Sequence, residues 1–281
     1  MIPGFDAEAF VRALLTEDLG GRVDASADVT SAAAVPAGRP LAAELVAREP
    51  LVVAGLWLAE LTFRALDPGC RFAALKAEGA QVAAGTALAR VEGEARALLA
   101  AERSALNVLQ HLSGVATMTR AFVDALAGTG TRLLDTRKTT PGLRALEKWA
   151  VRMGGGHNHR MGLWDAAMVK DNHIAAAGSI TAAVAACRAA GLSPIIVEVD
   201  SPAQIEEAIA AGADRLLLDN MDVPTLERAV RQVAGRVPTE ASGGVTLERV
   251  RAIAATGVDF VSVGRITQSA PAVDIGLDWR G

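Results

Sequence analysis

PIIVEVDSPAQIEEAIAAGADRLLLDN, residues 194–220, decides the fold. Two short runs of branched and leucine-type residues, IIVEV and RLLLD, flank a segment whose apolar residues recur at helical spacing. Strand, helix, strand with short turns puts the two strands side by side and parallel, because the helix carries the chain back to the edge where it began. The pattern extends both ways. TRLLDT (131–136) and AAMVKD (166–171) lie upstream, and VPTEASGG (237–244) and DFVSVGR (259–265) lie downstream, the last two separated by the amphipathic TLERVRAIAATGV (246–258). Glu198, Asp219, Ser242 and Gly264 end successive strands at intervals of 21, 23 and 22 residues, one strand-helix unit each. A (β/α) barrel brings all such ends to one rim. A doubly wound open sheet is the competing architecture, but no G-x-G-x-x-G follows a first strand.

The first half has a different pattern. LAAELVAREP (41–50) and RFAALKAEGAQVAAGTALARV (71–91) read as strands and turns around an apolar helix at 54–66, an α+β layer with no cofactor signal. The division expected is an N-terminal domain over 1–108, which the tail 267–281 could join, and a barrel over 109–266. With 281 residues, 51% of them hydrophobic, the chain can bury a large core. MIPGFDAEAF at the start lacks the basic region of an export signal, and the longest apolar run, Leu51–Phe63, is broken by Glu60. A cytoplasmic protein with no membrane span is expected. Cys70 and Cys187 form no metal or disulfide pattern and are read as buried small hydrophobes.

Charge is distributed unevenly. Three of the four lysines (Lys138, Lys148, Lys170) and three of the four histidines (His157, His159, His173) fall between 138 and 173. Residues 131–170 hold eight Lys/Arg against three acids, a local +5 in a chain of net −4. A compact basic island on an acidic protein suits a small polyanionic ligand and not nucleic acid. Arg144, Lys148 and Arg152, four apart, could equally form a solvated helix face.

DTRKTTPGLRALEKWAVRMGGG (135–156) predicts a helix capped by Thr140, with Pro141 at its first position and Gly154 at its end. Arg137 and Lys138 then lie on a loop at the rim, where a guanidinium fork and an ammonium suit a dianion; as an isolated pair they read first as surface charges. In GGGHNHRMGLWDAAMVKDNH (154–173), His159 adjoins Arg160, and Lys170 with Asp171 ends an apolar strand. Lys170 could bind an anion, act as a Schiff-base nucleophile, or pair with Asp171. His157 and His159 without a third ligand make a poor zinc site and are better read as donors to a substrate. Glu198 and Asp219 offer oxygens to Mg2+ or to ribose hydroxyls; helix capping is the rival reading, above all for Asp219 beside Asn220. SGG (Ser242, Gly243, Gly244) and VGR (Val263, Gly264, Arg265) end adjacent strands, where backbone N–H groups can hold a phosphate.

These motifs together resemble one family. DTRKTTPGLR, EKWAVRMGGGHNHRMGLWDA, KDNH, VEVD, LLLDN, EASGG and SVG, with ERSALNVLQHLSG at 102–114, are similar to the quinolinate phosphoribosyltransferases over nearly the whole chain. The resemblance implies an α/β fold, an open (β/α) TIM-like barrel with an N-terminal α+β sandwich domain, the type II phosphoribosyltransferase arrangement. It implies an enzyme of NAD biosynthesis that uses quinolinate, phosphoribosyl pyrophosphate and Mg2+. A homodimer is implied, with Arg103 entering the neighbouring subunit's site. Thr136, Arg137, Lys138, His159, Arg160 and Lys170 would form the cationic pocket, Glu198 and Asp219 would attend ribose and Mg2+, and Ser242, Gly243, Gly244 and Gly264 would bind phosphate. Trp149 and Trp164 replace the usual tyrosines, GRITQS (264–269) replaces a more usual G-A-L-T-H-S, and GGRVDASADVTS (20–31) is longer than its counterpart. Rival readings are the related protein of molybdate transport systems, a Lys170 aldolase and a non-catalytic anion-binding barrel.

Overall fold

The computed structural model describes residues 2–280. In chain order the elements are α1 (Ala7–Asp18), α2 (Val29–Ala34), β1 (Pro40–Ala47), β2 (Leu51–Val52), α3 (Leu56–Leu66), β3 (Arg71–Ala74), β4 (Gln81–Val82), β5 (Ala87–Glu94) and α4 (Ala95–Ala125). There follow β6 (Arg132–Leu134), α5 (Arg144–Met153), β7 (Ala167–Val169), α6 (Asp171–Ala177), α7 (Ile180–Ala189), β8 (Ile195–Val199) and α8 (Ile205–Ala210). The last are β9 (Arg215–Asp219), α9 (Val223–Val233), β10 (Thr239–Ser242), α10 (Leu247–Ala254), β11 (Phe260–Ser262), α11 (Arg265–Gln268) and β12 (Ile275–Arg280).

Two compact units divide the chain. One holds residues up to Met118, Ala145–Gly155 and residues from Ala270 onward; the other holds Thr119–Arg144 and Gly156–Ser269. The boundary expected after residue 108 falls inside α4, whose 31 residues run without a break. Its Gly114 fits because the tail passes against it: a Cβ there would lie 2.0 Å from the Pro271 carbonyl oxygen.

The first unit is built on an antiparallel sheet in the order β12-β1-β5-β3. Leu45, Leu88 and Val91 from the sheet, Phe63 from α3, Leu98, Leu106 and Leu109 from α4, and Ile275 from β12 make its core. α5 differs from expectation: Gly142 sits at φ 81, a conformation that a right-handed helix cannot continue through, so Thr140–Leu143 is only a turn and the helix begins at Arg144. Nor is its basic stripe a solvated face, for Lys148 is 1% exposed while Arg152 is open to solvent. Of the cysteines, Cys70 is buried and Cys187 only partly so.

In the second unit six parallel strands run in the order β6-β11-β10-β9-β8-β7. The unit's first strand lies beside its last. That order curls a sheet towards a barrel, where a doubly wound sheet would place the first strand in the middle. A single parallel bridge from His157 to Leu134 extends the rim beyond β6, and among the described residues nothing pairs with the far edge of β7, so the barrel is open. The covering helices bury one stripe each: Leu226, Ala229 and Val233 of α9, and Val250, Ile253 and Ala254 of α10. Strand register sets the site in layers, with Glu198, Leu217 and Glu240 in one row across β8, β9 and β10, and Asp219 and Ser242 in the next row towards the carboxyl ends. No described helix is long and apolar enough to cross a membrane.

Candidate active site

A cavity of about 540 Å³ opens at the carboxyl ends of the barrel strands. Thr136, Arg137, Lys138, His159, Arg160, Lys170, Glu198, Asp219, Ser242, Gly243 and Gly244 all line it. Met168, Leu217, Asn220, Glu240 and Ser262 complete the wall. Residues spread over more than a hundred positions meet because side chains two apart on a strand face the same way, and each strand gives its last inward position to the mouth.

Buried hydrogen bonds shape the cationic side. Asp135, fully buried at the end of β6, accepts from the His159 N–H (2.8 Å) and the Asn158 amide (2.6 Å), which folds the HNHR segment onto the rim. The Lys138 N–H donates to the Thr136 hydroxyl (3.0 Å), and the Thr267 hydroxyl donates to the Lys138 carbonyl (2.7 Å), which ties α11 to the Arg137–Lys138 loop. Gly264 is required there by proximity: a Cβ would sit 2.9 Å from Lys138 Cδ. Arg160 spans its own loop by donating to the Ala166 carbonyl (3.0 Å). Burial, then the like charge of Arg137, pulls the Arg160 guanidinium below its ordinary value. Arg137 Nε is buried with no hydrogen-bond partner among the described residues. Two neighbouring cations and an unused buried donor call for an anion.

The acidic side lies across the mouth. Lys170 pairs with Glu198, while Asp171 Oδ1 turns back to the Asn172 N–H. The expected alternative of a Lys170–Asp171 pair is therefore wrong. A nucleophilic lysine needs apolar surroundings or another cation beside it, and here a carboxylate faces it. Asp219 is not a helix cap: Asp222 caps α9 by accepting from the Thr225 N–H (2.9 Å), which leaves Asp219 in the cavity wall. Asn220 holds it there, donating from its amide to Asp219 Oδ2 at 2.6 Å. Asn220 adopts φ 53, its N–H bonds the Ser242 carbonyl (2.9 Å), and a Cβ on Gly243 would meet Asn220 Oδ1 at 2.1 Å.

Four sequence-predicted residues do not line the cavity: Gly264 is half-buried behind Lys138, and the other three lie elsewhere. Val263 is buried, Arg265 is exposed at the start of α11, and Arg103 is exposed on α4 in the other unit. The most consequential residue missed is Glu240, with no exposed surface, 3.1 Å from Arg215 Nη1 and 3.3 Å from His159 Nε2. The signal for it was its place two residues before Ser242 on one strand, which puts a carboxylate on the inward face.

Comparison with known proteins agrees with this geometry. The family models for the quinolinate phosphoribosyl transferase N-terminal and C-terminal domains match residues 28–113 and 115–278. The chain is 46% identical over 274 residues to a nicotinate-nucleotide pyrophosphorylase (carboxylating) of Mycobacterium leprae, covering 95% of each. A probable enzyme of the same name from Bacillus subtilis is 46% identical over 238 residues, 84% of this chain and 82% of that one. The crystal structure of nicotinate-nucleotide pyrophosphorylase from Ehrlichia chaffeensis superposes with a TM-score of 0.93 at 38% identity, over 99% of this chain and 100% of that one. With both domain models matched in order, and with the motif residues gathered at one barrel mouth, this chain belongs to the quinolinate phosphoribosyltransferase family.

Proposed function

We propose that this enzyme joins quinolinate to the ribose of phosphoribosyl pyrophosphate, releasing pyrophosphate and CO2 and leaving nicotinate mononucleotide. The observation that carries the reading is the pairing of Arg137 and Arg160 in one cavity, the first with an unused buried donor, opposite Glu198 and Asp219. Arg137, Lys138, Arg160 and Lys170 take the two carboxylates and the pyrophosphate; guanidinium forks suit the planar groups. Ser242, Gly243 and Gly244 offer main-chain N–H groups to the sugar phosphate, with both glycines at positive φ (90 and 59).

The pyridine nitrogen forms a bond to C1 of the ribose as the bond to pyrophosphate breaks. Positive charge that develops on the ribose is stabilised by Glu198 and Asp219. The carboxylate at ring position 2 then leaves as CO2, its bonding pair staying on the ring carbon beside the cationic nitrogen until water protonates it. Orientation and charge account for the rate; no covalent enzyme intermediate is required. Glu198 and Asp219 would hold a Mg2+ bound together with the phosphates, and its charge would neutralise the leaving group. Glu198 and Asp219 are oxygen donors of the kind it takes, and no cluster of three or more metal-binding side chains exists among the described residues, so phosphates and water would supply the other ligands.

The working unit is a homodimer in which Arg103 completes the partner's site. Release of pyrophosphate dependent on quinolinate, phosphoribosyl pyrophosphate and Mg2+, with nicotinate mononucleotide as product, tests the reading. Equal turnover with nicotinate in place of quinolinate refutes it.

A further inference from the structure

Glu240 is a fully buried carboxylate on the barrel's inward face, one layer below Asp219 and Ser242. Burying such a charge is costly unless partners compensate it. Burial works to raise the Glu240 carboxyl, yet His159, Ser262 and Arg215 together outweigh it and hold the group below its ordinary value. Arg215 alone would account for a strand-to-strand pair, since its guanidinium lies 3.1 Å from Glu240 and packs over the Phe260 ring at 4.4 Å. The imidazole of His159 is the part that a strand pair does not explain. Its Nδ1 accepts the Arg160 main-chain N–H at 2.7 Å, so Nδ1 carries no proton and the ring proton sits on Nε2, which faces Glu240 Oε2 at 3.3 Å as an electrostatic contact that is not aligned as a hydrogen bond.

We propose that Glu240 is a positioning residue for the quinolinate pocket: it fixes the angle and tautomer of His159, and through His159 Nδ1 it fixes the main chain at Arg160. The chain of contacts runs from the floor of the barrel to the guanidinium that meets substrate. This is the logic by which a buried acid orients an imidazole whose other nitrogen does the work. A carboxylate is suited to the position because it can only accept, whereas an amide could turn and present its own hydrogens to Nε2. The inference rests on the reaction proposed above for its kinetic consequences, but not for its structural ones.

The test joins a spectroscopic reading to kinetics. The Nε2 proton of His159, assigned by its loss in His159→Asn, is expected as a downfield imidazole resonance protected from exchange in the full-length protein without substrate. In Glu240→Gln it should disappear or move upfield. The same variant should raise the KM for quinolinate severalfold, on the order of tenfold at most for the loss of one buried charge contact, with a smaller change in the KM for phosphoribosyl pyrophosphate. Combined with His159→Asn it should be no worse than His159→Asn alone, because residues acting through one another do not add. An unchanged His159 proton in Glu240→Gln, or losses that multiply in the double variant, overturns the proposal and leaves Glu240 as a strand tie to Arg215. If Glu240→Gln does not fold, Ser262→Ala removes one partner and leaves the charge, and it should shift the same resonance by less; no shift there also overturns it. Failure of the wild-type enzyme to consume quinolinate would instead reject the proposed reaction, and the imidazole reading would stand by itself.

Discussion

Arg160 and Gly243 act by opposite means, one by what it offers and the other by what it lacks. Arg160 is a half-buried cation beside Arg137, and its charge is the one whose removal should be felt by a dicarboxylate. Arg160→Ala is expected to raise the KM for quinolinate at least tenfold, about 1.5–3 kcal/mol for a charge-assisted bond, and Arg160→Lys to recover only part because it loses the fork. Initial rates against quinolinate concentration decide it, and an unchanged KM removes Arg160 from the pocket. Gly243 stands at φ 90 with Asn220 pressed against it, so Gly243→Ala forces Asn220 to release Asp219 or bends the strand end. A stability loss of about 1–3 kcal/mol, read by thermal unfolding, should accompany a loss of turnover that persists at saturating substrate. Wild-type turnover would show that Asn220 does not hold Asp219 in a working position. Arg137, Lys138 and Asp219 could be named from the sequence because charged residues at strand ends are conspicuous. The inward placement of Glu240 was legible from its position two residues before Ser242, but its tie to a histidine 81 positions earlier was not, because only the folded chain brings the two together.

Among the elements, α3 depends on a side chain far from it in sequence. Gly55 caps it in the left-handed region at φ 110 and has no side chain to satisfy the free amides, so the Glu78 carboxylate accepts from the Gly55 N–H (2.8 Å) and the Trp57 N–H (3.3 Å). Burial pushes Glu78 up, and the amide bonds offset that only in part. A carboxyl whose folded-state value lies above its unfolded one contributes stability at low pH that is lost as the pH rises through the folded value. From about pH 4.5 upward, this group should therefore lower the melting temperature of the wild type. Glu78→Gln should flatten that slope, and parallel melting curves for the two proteins across the range would refute the assignment. The helix itself was legible at 54–66, but its cap was not, because a buried acid can be paired with its amides only after the chain has folded. α5 gives the converse lesson. Thr140 and Pro141 satisfied the rules for a helix start, yet Gly142 at φ 81 delays the helix to Arg144.

At the scale of the whole molecule the expectation is that Arg103, exposed on α4 in the first unit, works in a neighbouring subunit. Arg103→Ala and Lys138→Ala should each be nearly inactive. Mixed, dissociated and reassociated, they should regain about a quarter of wild-type activity, since half of the dimers are then mixed and each has one intact site. No recovery would place Arg103 outside the partner's site. Hydrophobic runs recurring with helices between them made the parallel strands legible from the chain alone, and the polar residues that end those runs marked which charges stand at the rim. Tertiary structure alone decided that Lys170 faces Glu198 and not its neighbour Asp171, that Lys148 is buried, and that Glu240 underlies His159. Those are relations between elements, set by packing, by register and by which buried charges must find partners, and none is written in the order of residues along one element.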